Sequence, residues 1–171
     1  MATRKYGLKS MLISDIDPAD GSAVVAGQVE VLSEIYRDTF NIAETDGTTT
    51  EHFAEMATTA DLSIKEVGSR SITFQCLNTS PARLALFLGG EVVSANSKDT
   101  WSAPETSVIN EKHVKITMLD DTEIIMPRAS VTGKTDFQIR RNAPILIGVT
   151  IAPLTPSFAG LKAFSVSEPT A

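Results

Sequence analysis

The sequence predicts a mainly β protein: a β-sandwich or partly closed barrel with one short flanking α-helix at about residues 81–88 and a long projecting hairpin at about residues 33–57. Three observations carry that expectation. Apolar and polar residues alternate along much of the chain, as in Ile72, Phe74 and Cys76 against Thr73 and Gln75, the period-two signature of a half-buried strand. Turn-forming residues separate these runs at short intervals. Only NTSPARLALFLGG, residues 78–90, repeats its apolar positions at helical spacing.

Residues 8–16, LKSMLISDI, read as a first strand, and PADG at 18–21 as a turn in which Pro fixes one φ and Gly permits another. AVVAGQVEVL, 23–32, reads as a strand or a transition segment. SEIYRDTFNIAETDGTTTEHFAEMA, 33–57, reads as the long hairpin, with Tyr36, Asp38, Phe40 and Ile42 on one face and Ile35, Arg37, Thr39 and Asn41 on the other. Asp46-Gly47 suits its bend. Two further strands follow, LSIKEV leading past Gly68 and SITFQCL, with Ile72, Phe74 and Cys76 toward the core.

The helical phrase has a start and a stop. Ser80 suits an N-cap whose side chain accepts a first-turn N–H, and Pro81 loses no bond at the first helical position. Leu84, Phe87 and Leu88 form one apolar stripe, which needs a sheet to cover. Gly89 and Gly90 suit the left-handed conformation of a C-terminal cap.

After the helix, EVV at 91–93 reads as a short strand and SANSKDTWSAPET, 94–106, as a polar loop. HVKITMLDDTEIIMP reads as a hairpin, with Val114, Ile116 and Met118 facing one way, Asp120 and Asp121 at the turn, and Ile124 and Met126 returning. Pro127 ends that strand or puts it at an edge. Residues 130–139 suggest another strand, and ILIGVTIAPL, 145–154, is the most apolar strand, placing Ile145, Ile147, Val149 and Ile151 in the core. The final SVSEPTA reads as loose at its end.

The 171 residues suit a single domain, 1–171, with a real core. A formal net charge of -6 argues against a basic stripe that grips nucleic acid through its phosphates. The lone Cys76 excludes an intramolecular disulfide framework and a cysteine zinc cluster, and its strand context suits a small buried hydrophobe. MATRKYGLKSMLISDI lacks the form of a secretory signal, and no run approaches the about 18 apolar residues of a membrane-spanning helix. A soluble protein starting in the cytoplasm of its cell is expected.

Groups for chemistry are sparse. His52 and His113 lie in strand patterns without a carboxylate or cysteine at ligand spacing, so no metal, cofactor or catalytic residue is expected. Phosphate loops, dinucleotide fingerprints and nucleophile elbows are missing from the sequence. Asp120-Asp121 and the Glu44/Asp46 pair sit where hairpin turns want acids, rather than facing across a cleft as glycoside chemistry requires. Trp101 suits packing onto its own domain more than stacking on a sugar or base. A long hairpin leaves strand edges unpaired, and such edges are guarded or used to pair with another chain. Asp46, Gly47, Thr48, Thr49, Thr50 and Glu51, in its Thr-rich stretch, are therefore candidate inter-subunit residues.

The order of these features resembles the tail tube proteins of tailed bacteriophages and of related contractile injection machines. The likeness is carried by EIYRDTFNIAETDGTTTEHFAE, by SITFQCLNTSPARLALFLGGEV, in which a strand runs into a Pro-started helix closed by Gly-Gly, and by KITMLDDTEIIMPRASVTGK with ILIGVTIAPLTP; together these cover most of residues 33–156. The resemblance implies a non-enzymatic structural subunit, six to a ring, with rings stacked into a hollow tube that delivers DNA. It implies a helix outside the lumen and a hairpin that meets a neighbouring subunit. Thr39, Asn41, Thr73 and Gln75 become candidate lumen residues because they alternate with apolar ones. The implied partners are other copies of the chain, a tail terminator, baseplate or tip proteins, a tape measure protein in the lumen and DNA in transit, with no membrane. The implied location is the virion tail, assembled in the bacterial host cytoplasm. A head-decoration or fibre module and a carbohydrate-binding β-sandwich are the alternatives.

Overall fold

A computed structural model describes residues 7–53, 55, 58–59, 61–106, 109–136, 141 and 143–169. In chain order it holds β1 (Leu8–Ser14), β2 (Val29–Glu30), one 3-10 turn (Leu32–Glu34), β3 (Asn41–Glu44), β4 (Thr49–His52), β5 (Leu62–Lys65) and β6 (Arg70–Cys76). Helix α1 (Pro81–Leu88) follows, then β7 (Glu91–Ala95), β8 (Lys98–Ser102), β9 (Asn110–Met118), β10 (Glu123–Asp136), β11 (Leu146–Pro153) and β12 (Ser165–Ser167). The fold is mainly β with a single α-helix among the described residues, as the alternation predicts. The main sheet runs β2-β1-β9-β10-β11-β6-β3, with β12 beside β10. That path is open at both ends and does not close into a barrel.

The sheet is organised by β10. Its first part, through Met126, pairs with β9 on one edge and β12 on the other; from Ala129 onward it pairs with β11 and with the start of β9. Between Met126↔Val114 and Ala129↔Lys112, the two residues Pro127 and Arg128 face His113 alone, which defines a β-bulge. Pro127, which has no N–H to give the ladder, occupies the slip. The strand therefore continues past Pro127 instead of ending there, and it forms the first part of the strand expected at 130–139. Residues 137–139 of that expectation lie outside the described residues.

One core unites both parts of the sheet. Met11 and Ile13 of β1 pair with Ile116 and Val114 of β9, and Ile147, Val149 and Ile151 of β11 pair with Cys76, Phe74 and Ile72 of β6. All ten side chains are buried in one cluster with Ile124, Met126 and Val131. Ile145, expected in the core, is only half-buried because it precedes the first β11 pair, Asp136↔Leu146. The apolar stretch at 23–32 yields only the two-residue β2, although Val31 is fully buried beside β1. The C-terminal SVS forms β12, so it is held in the sheet; residues 170–171 are outside the described set.

Helix α1 packs on the core face. Phe87 is fully buried and meets the edge of the Phe74 ring at a centroid distance of 6.1 Å and an angle of 78°. Such burial contributes roughly 2–3 kcal/mol. Gly133 makes room for the helix, because a Cβ there would lie 2.7 Å from Leu88 Cδ1 and 3.0 Å from Phe87 Cβ. The cap differs from expectation: Ser80 makes no side-chain cap bond, and its own N–H donates instead to Asn78 Oδ1 at 3.0 Å. Gly89 has φ 76° and ψ -165°, outside the left-handed helical region and in one essentially reserved for glycine.

Glu34 ties this end of the molecule together. Its carboxylate receives Arg83 Nε at 2.6 Å and Nη2 at 2.7 Å, and Asn78 Nδ2 at 2.9 Å. Burial works to raise the Glu34 carboxyl, but the Arg83 and Asn78 donors outweigh it and hold the group below its ordinary range.

The projecting hairpin is longer and later than the sequence suggests. Residues 33–40 are not a strand arm: they comprise the end of the 3-10 turn, a single bridge from Ile35 to Cys76, and a turn with Asp38 at φ 62°. The arms are instead β3–β4 and β5–β6. Their register runs without a slip from Asn41↔Thr73 and Glu44↔Arg70 to Thr49↔Lys65 and His52↔Leu62. In the gap, Thr45 N donates to Ser69 O at 2.9 Å and Glu66 N to Thr48 O at 2.8 Å. Asp46-Gly47 is thus a mid-arm pinch, and the turn falls among residues 53–61, of which 54, 56, 57 and 60 lie outside the described residues.

Two glycines make the pinch. A Cβ on Gly47 would stand 1.9 Å from Glu66 O, and one on Gly68 would stand 1.6 Å from Thr45 O. Only a residue without a side chain permits that approach. A second hairpin, β7–β8, replaces the expected 94–106 loop; Asn96 (φ 51°) and Ser97 (φ 60°) form its two-residue turn of the type that suits strand twist.

Gly68→Ala is expected to force the arms apart. Amides of β4 and β5 should then exchange faster in hydrogen-exchange measurements, with the domain's thermal midpoint unchanged within about 2 °C, less than a loss of about 1 kcal/mol would cause at this size. A larger drop would place the distal hairpin within the cooperative core.

Candidate assembly surfaces

The four residues read as lumen candidates lie together. Asn41 of β3 pairs with Thr73 of β6, Thr73 with Thr150 of β11, and Thr150 with Thr132 of β10. Directly paired side chains share a face, so these form one neutral polar row across four strands, opposite the core. Gln75 adjoins it, paired to Gly148 and through it to Lys134. Thr39 lies beside the edge, where its Oγ1 accepts the Gln75 N–H at 3.1 Å and donates to Tyr36 O at 2.6 Å.

Sequence reading found Thr39, Asn41, Thr73 and Gln75 but missed Thr132, Thr150 and Lys134. Thr150 was legible as the polar member of the ILIGVTIAPL alternation. Its neighbours in the row depend on strand order, which alternation does not report.

The candidate inter-subunit residues share the hairpin but not a tip. Asp46, Gly47 and Thr48 occupy the pinch, while Thr49, Thr50 and Glu51 belong to β4. Every residue of β4 and β5 is exposed. Thr50↔Ile64 and His52↔Leu62 place Leu62 and Ile64 on one face, where they are 53% and 49% exposed. A two-stranded ribbon without a core is marginal in water, and among the described residues the pairing of β4 and β5 is with each other alone.

Groups capable of chemistry do not converge among the described residues. Asp120 accepts the Thr122 N–H at 3.2 Å and its hydroxyl at 3.0 Å as a turn residue. Asp121, with φ 60°, is paired to Lys9. Glu44 faces Arg70 at 3.0 Å, and Asp46 is exposed in the pinch. Trp101 is half-buried against the core and donates its Nε1–H to Gly89 O at 2.8 Å, so the ring packs onto its own domain. Cys76 is buried, and that burial raises its thiol pKa. His52 is exposed on the hairpin.

A groove of 330 Å³ opens between Pro18, Pro127, Pro156 and Phe158. The Arg128 guanidinium at its side donates to both Glu111 oxygens at 2.8 and 2.7 Å and to Thr155 O at 3.1 Å. Its donors are committed to the fold. No group of three or more His, Cys, Asp or Glu that could hold a metal occurs among the described residues, and no described helix is long and apolar enough to cross a membrane. No protein-family model matches the chain, and the search of curated proteins finds no significant match.

His113 is buried opposite the β10 bulge, and burial followed by the nearby Lys115 charge lowers its pKa. A lowered folded pKa means that the unfolded chain binds the proton more readily. Stability from neutral His113 is full above the unfolded pKa of about 6.5 and is lost as pH falls through it. The thermal midpoint should therefore fall between about pH 7.5 and about pH 5.5, and less so in His113→Gln; identical profiles for the two proteins would contradict this assignment.

Proposed function

We propose that the chain is a self-assembling structural subunit of a phage-type tail tube, without catalytic activity. Six copies form a ring, rings stack, and the Asn41–Thr73–Thr150–Thr132 face lines the channel for DNA. The observation that carries self-assembly is the exposure of every residue of β4 and β5, with Leu62 and Ile64 left half-exposed among the described residues. Burying such a face against a neighbour stabilises a ribbon that water alone leaves marginal.

The neutral row supports the channel assignment. Releasing condensed counterions from DNA requires cationic side chains, so a row of Thr and Asn supplies little attraction to a passing duplex. The order of sequence features supports the family. Within this reading the chain also meets a tail terminator and baseplate or tip proteins at the tube ends and a tape measure protein in the bore. It resides in the virion tail after assembly in the host cytoplasm.

Negative-stain electron microscopy of the purified chain across a concentration series tests the reading. Rings or hollow tubes are expected above a threshold concentration; uniform small particles at every concentration would favour a head-decoration, fibre or binding module instead. Replacing residues 46–67 by a short Asn-Gly turn should leave a folded domain that forms no tubes. Full-length tubes from that variant would remove the hairpin from assembly.

A further inference from the structure

The segment between β11 and β12, residues 154–164, forms no strand and is held to the body by a few ties. Its first tie is Arg128 in the β10 bulge. Arg128 O accepts the Leu154 N–H at 2.8 Å, and the guanidinium donates to Thr155 O at 3.1 Å and Ser157 Oγ at 3.3 Å. Further along, Phe158 and Leu161 pack on the turn at 17–22: a Cβ on Gly21 would stand 2.6 Å from Phe158 Cδ2 and 3.1 Å from Leu161 Cδ1. At its far end the Phe164 ring centroid lies 4.9 Å from the Arg70 guanidinium carbon. Pro156, Phe158 and Leu161 thereby become one wall of the groove that Ile16 and Pro18 also line. The segment is a strap whose start depends on where Arg128 points.

Glu111 sets that direction, since both its oxygens receive Arg128. Val114 and Ile116 of β9 are in the core, so Glu111, His113 and Lys115 share the opposite face. His113 is only 8% exposed, between Ser14 of β1 and the Pro127–Arg128 bulge of β10. The charges around it are already paired. Lys115 is held by Glu123, and Lys112 by Asp15, the residue after Ser14. Asp17 and Asp20, in the 17–22 turn, accept the Ala19 and Ser22 N–H groups at 2.8 Å. Residues 154–160 carry no charge. A proton on His113 therefore adds a cation that repels Arg128 across the bulge and competes with it for Glu111. Both effects slacken the grip on Thr155 and Ser157.

We infer that His113 is an acid-sensing latch: its protonation frees residues 154–161 from the bulge and uncovers Phe158 and Leu161 while the sheet stays folded. The inference is independent of the tube reading. Burial first, and then the Lys115 charge, lower the His113 pKa, so the closed strap belongs to the neutral ring. Closure is fully favoured above about pH 6.5, the ordinary histidine value, and weakens as pH falls through it. Glu111 is held below the ordinary carboxylate range by Arg128, so it stays charged through this window.

Hydrogen exchange of the 15N-labelled chain at about pH 7.5 and about pH 5.5 tests the latch, with each rate divided by its intrinsic value. About pH 5.5 lies one unit below the ordinary histidine value, so Leu154 N–H protection should fall by up to about tenfold. At both pH values that exchange should be insensitive to about 0.5 M urea, as for a local opening. His113→Gln, checked for folding by circular dichroism, should keep Leu154 protection constant between the two pH values. His52→Gln, which alters the exposed histidine, should keep the wild-type fall. Glu111→Gln should lower Leu154 protection already at about pH 7.5.

In the wild-type chain the His113 ring signals should titrate over the same pH range as Leu154 protection, a readout that stands even where His113→Gln does not fold. A His113→Gln chain that keeps the wild-type fall overturns the latch. So does a fall centred below about pH 4.5, where carboxylates titrate, or one that steepens with urea as global unfolding does. Leu154 protection that is absent at about pH 7.5, or unchanged in Glu111→Gln, removes the clamp on which the latch rests.

Discussion

The bulge at Pro127–Arg128 is the constraint on which the rest of the molecule depends. A flat β10 would offer one continuous ladder on each edge. With two residues set against His113, the strand bends; β9 follows one edge on both sides of the slip, while the other edge takes β12 before it and β11 after it. Met11, Ile116 and Met126 thereby join the same core as Phe74, Val149 and Phe87. Arg128 holds the bend from outside through Glu111, Thr155 O and the Leu154 N–H to Arg128 O bond at 2.8 Å. The ion pair is about one-third exposed, at 33% and 31% for the two side chains, so water and salt weaken it and its role is geometric more than energetic.

A second tie fixes what the bend leaves free. Glu34, Asn78 and Arg83 join the 3-10 turn, the end of β6 and the first turn of the helix. The helix can then set Phe87 against Phe74 and close over Gly133. Core and ties are concentrated in the sheet body. Among the described residues the β4–β5 ribbon has neither, and every residue of the two strands is exposed.

In the proposed function this division separates stability from assembly. Under the proposed self-assembly, the body keeps its shape while the ribbon meets a neighbour, and the glycine pinch marks the boundary between them. Under the proposed tube function, the division also sorts charge. The chain's formal charge is -6, yet the row across β3, β6, β11 and β10 is neutral, and several acids gather on the arm. A channel wall benefits from weak attraction to DNA.

Local patterns in the sequence determined much of the body. Alternation placed Ile72, Phe74 and Cys76 inward and Thr73 and Gln75 outward, and the Asp120-Asp121 hairpin and the helix at 81–88 were readable from their turn and cap residues. Each depends on neighbours along the chain, where periodicity and backbone preference act. Tertiary structure decided the matters that distant pairing controls. Asp46-Gly47 carries the sequence of a hairpin turn, but Gly68 lies across from it and the register of β6 carries the arms past it. Pro127 reads as a stop, yet the bulge lets β10 continue. Thr132 and Thr150 joined Asn41 and Thr73 only because β10, β11, β6 and β3 are adjacent. Alternation specifies which way a side chain faces; strand order, set by burying one common core, specifies which side chains meet.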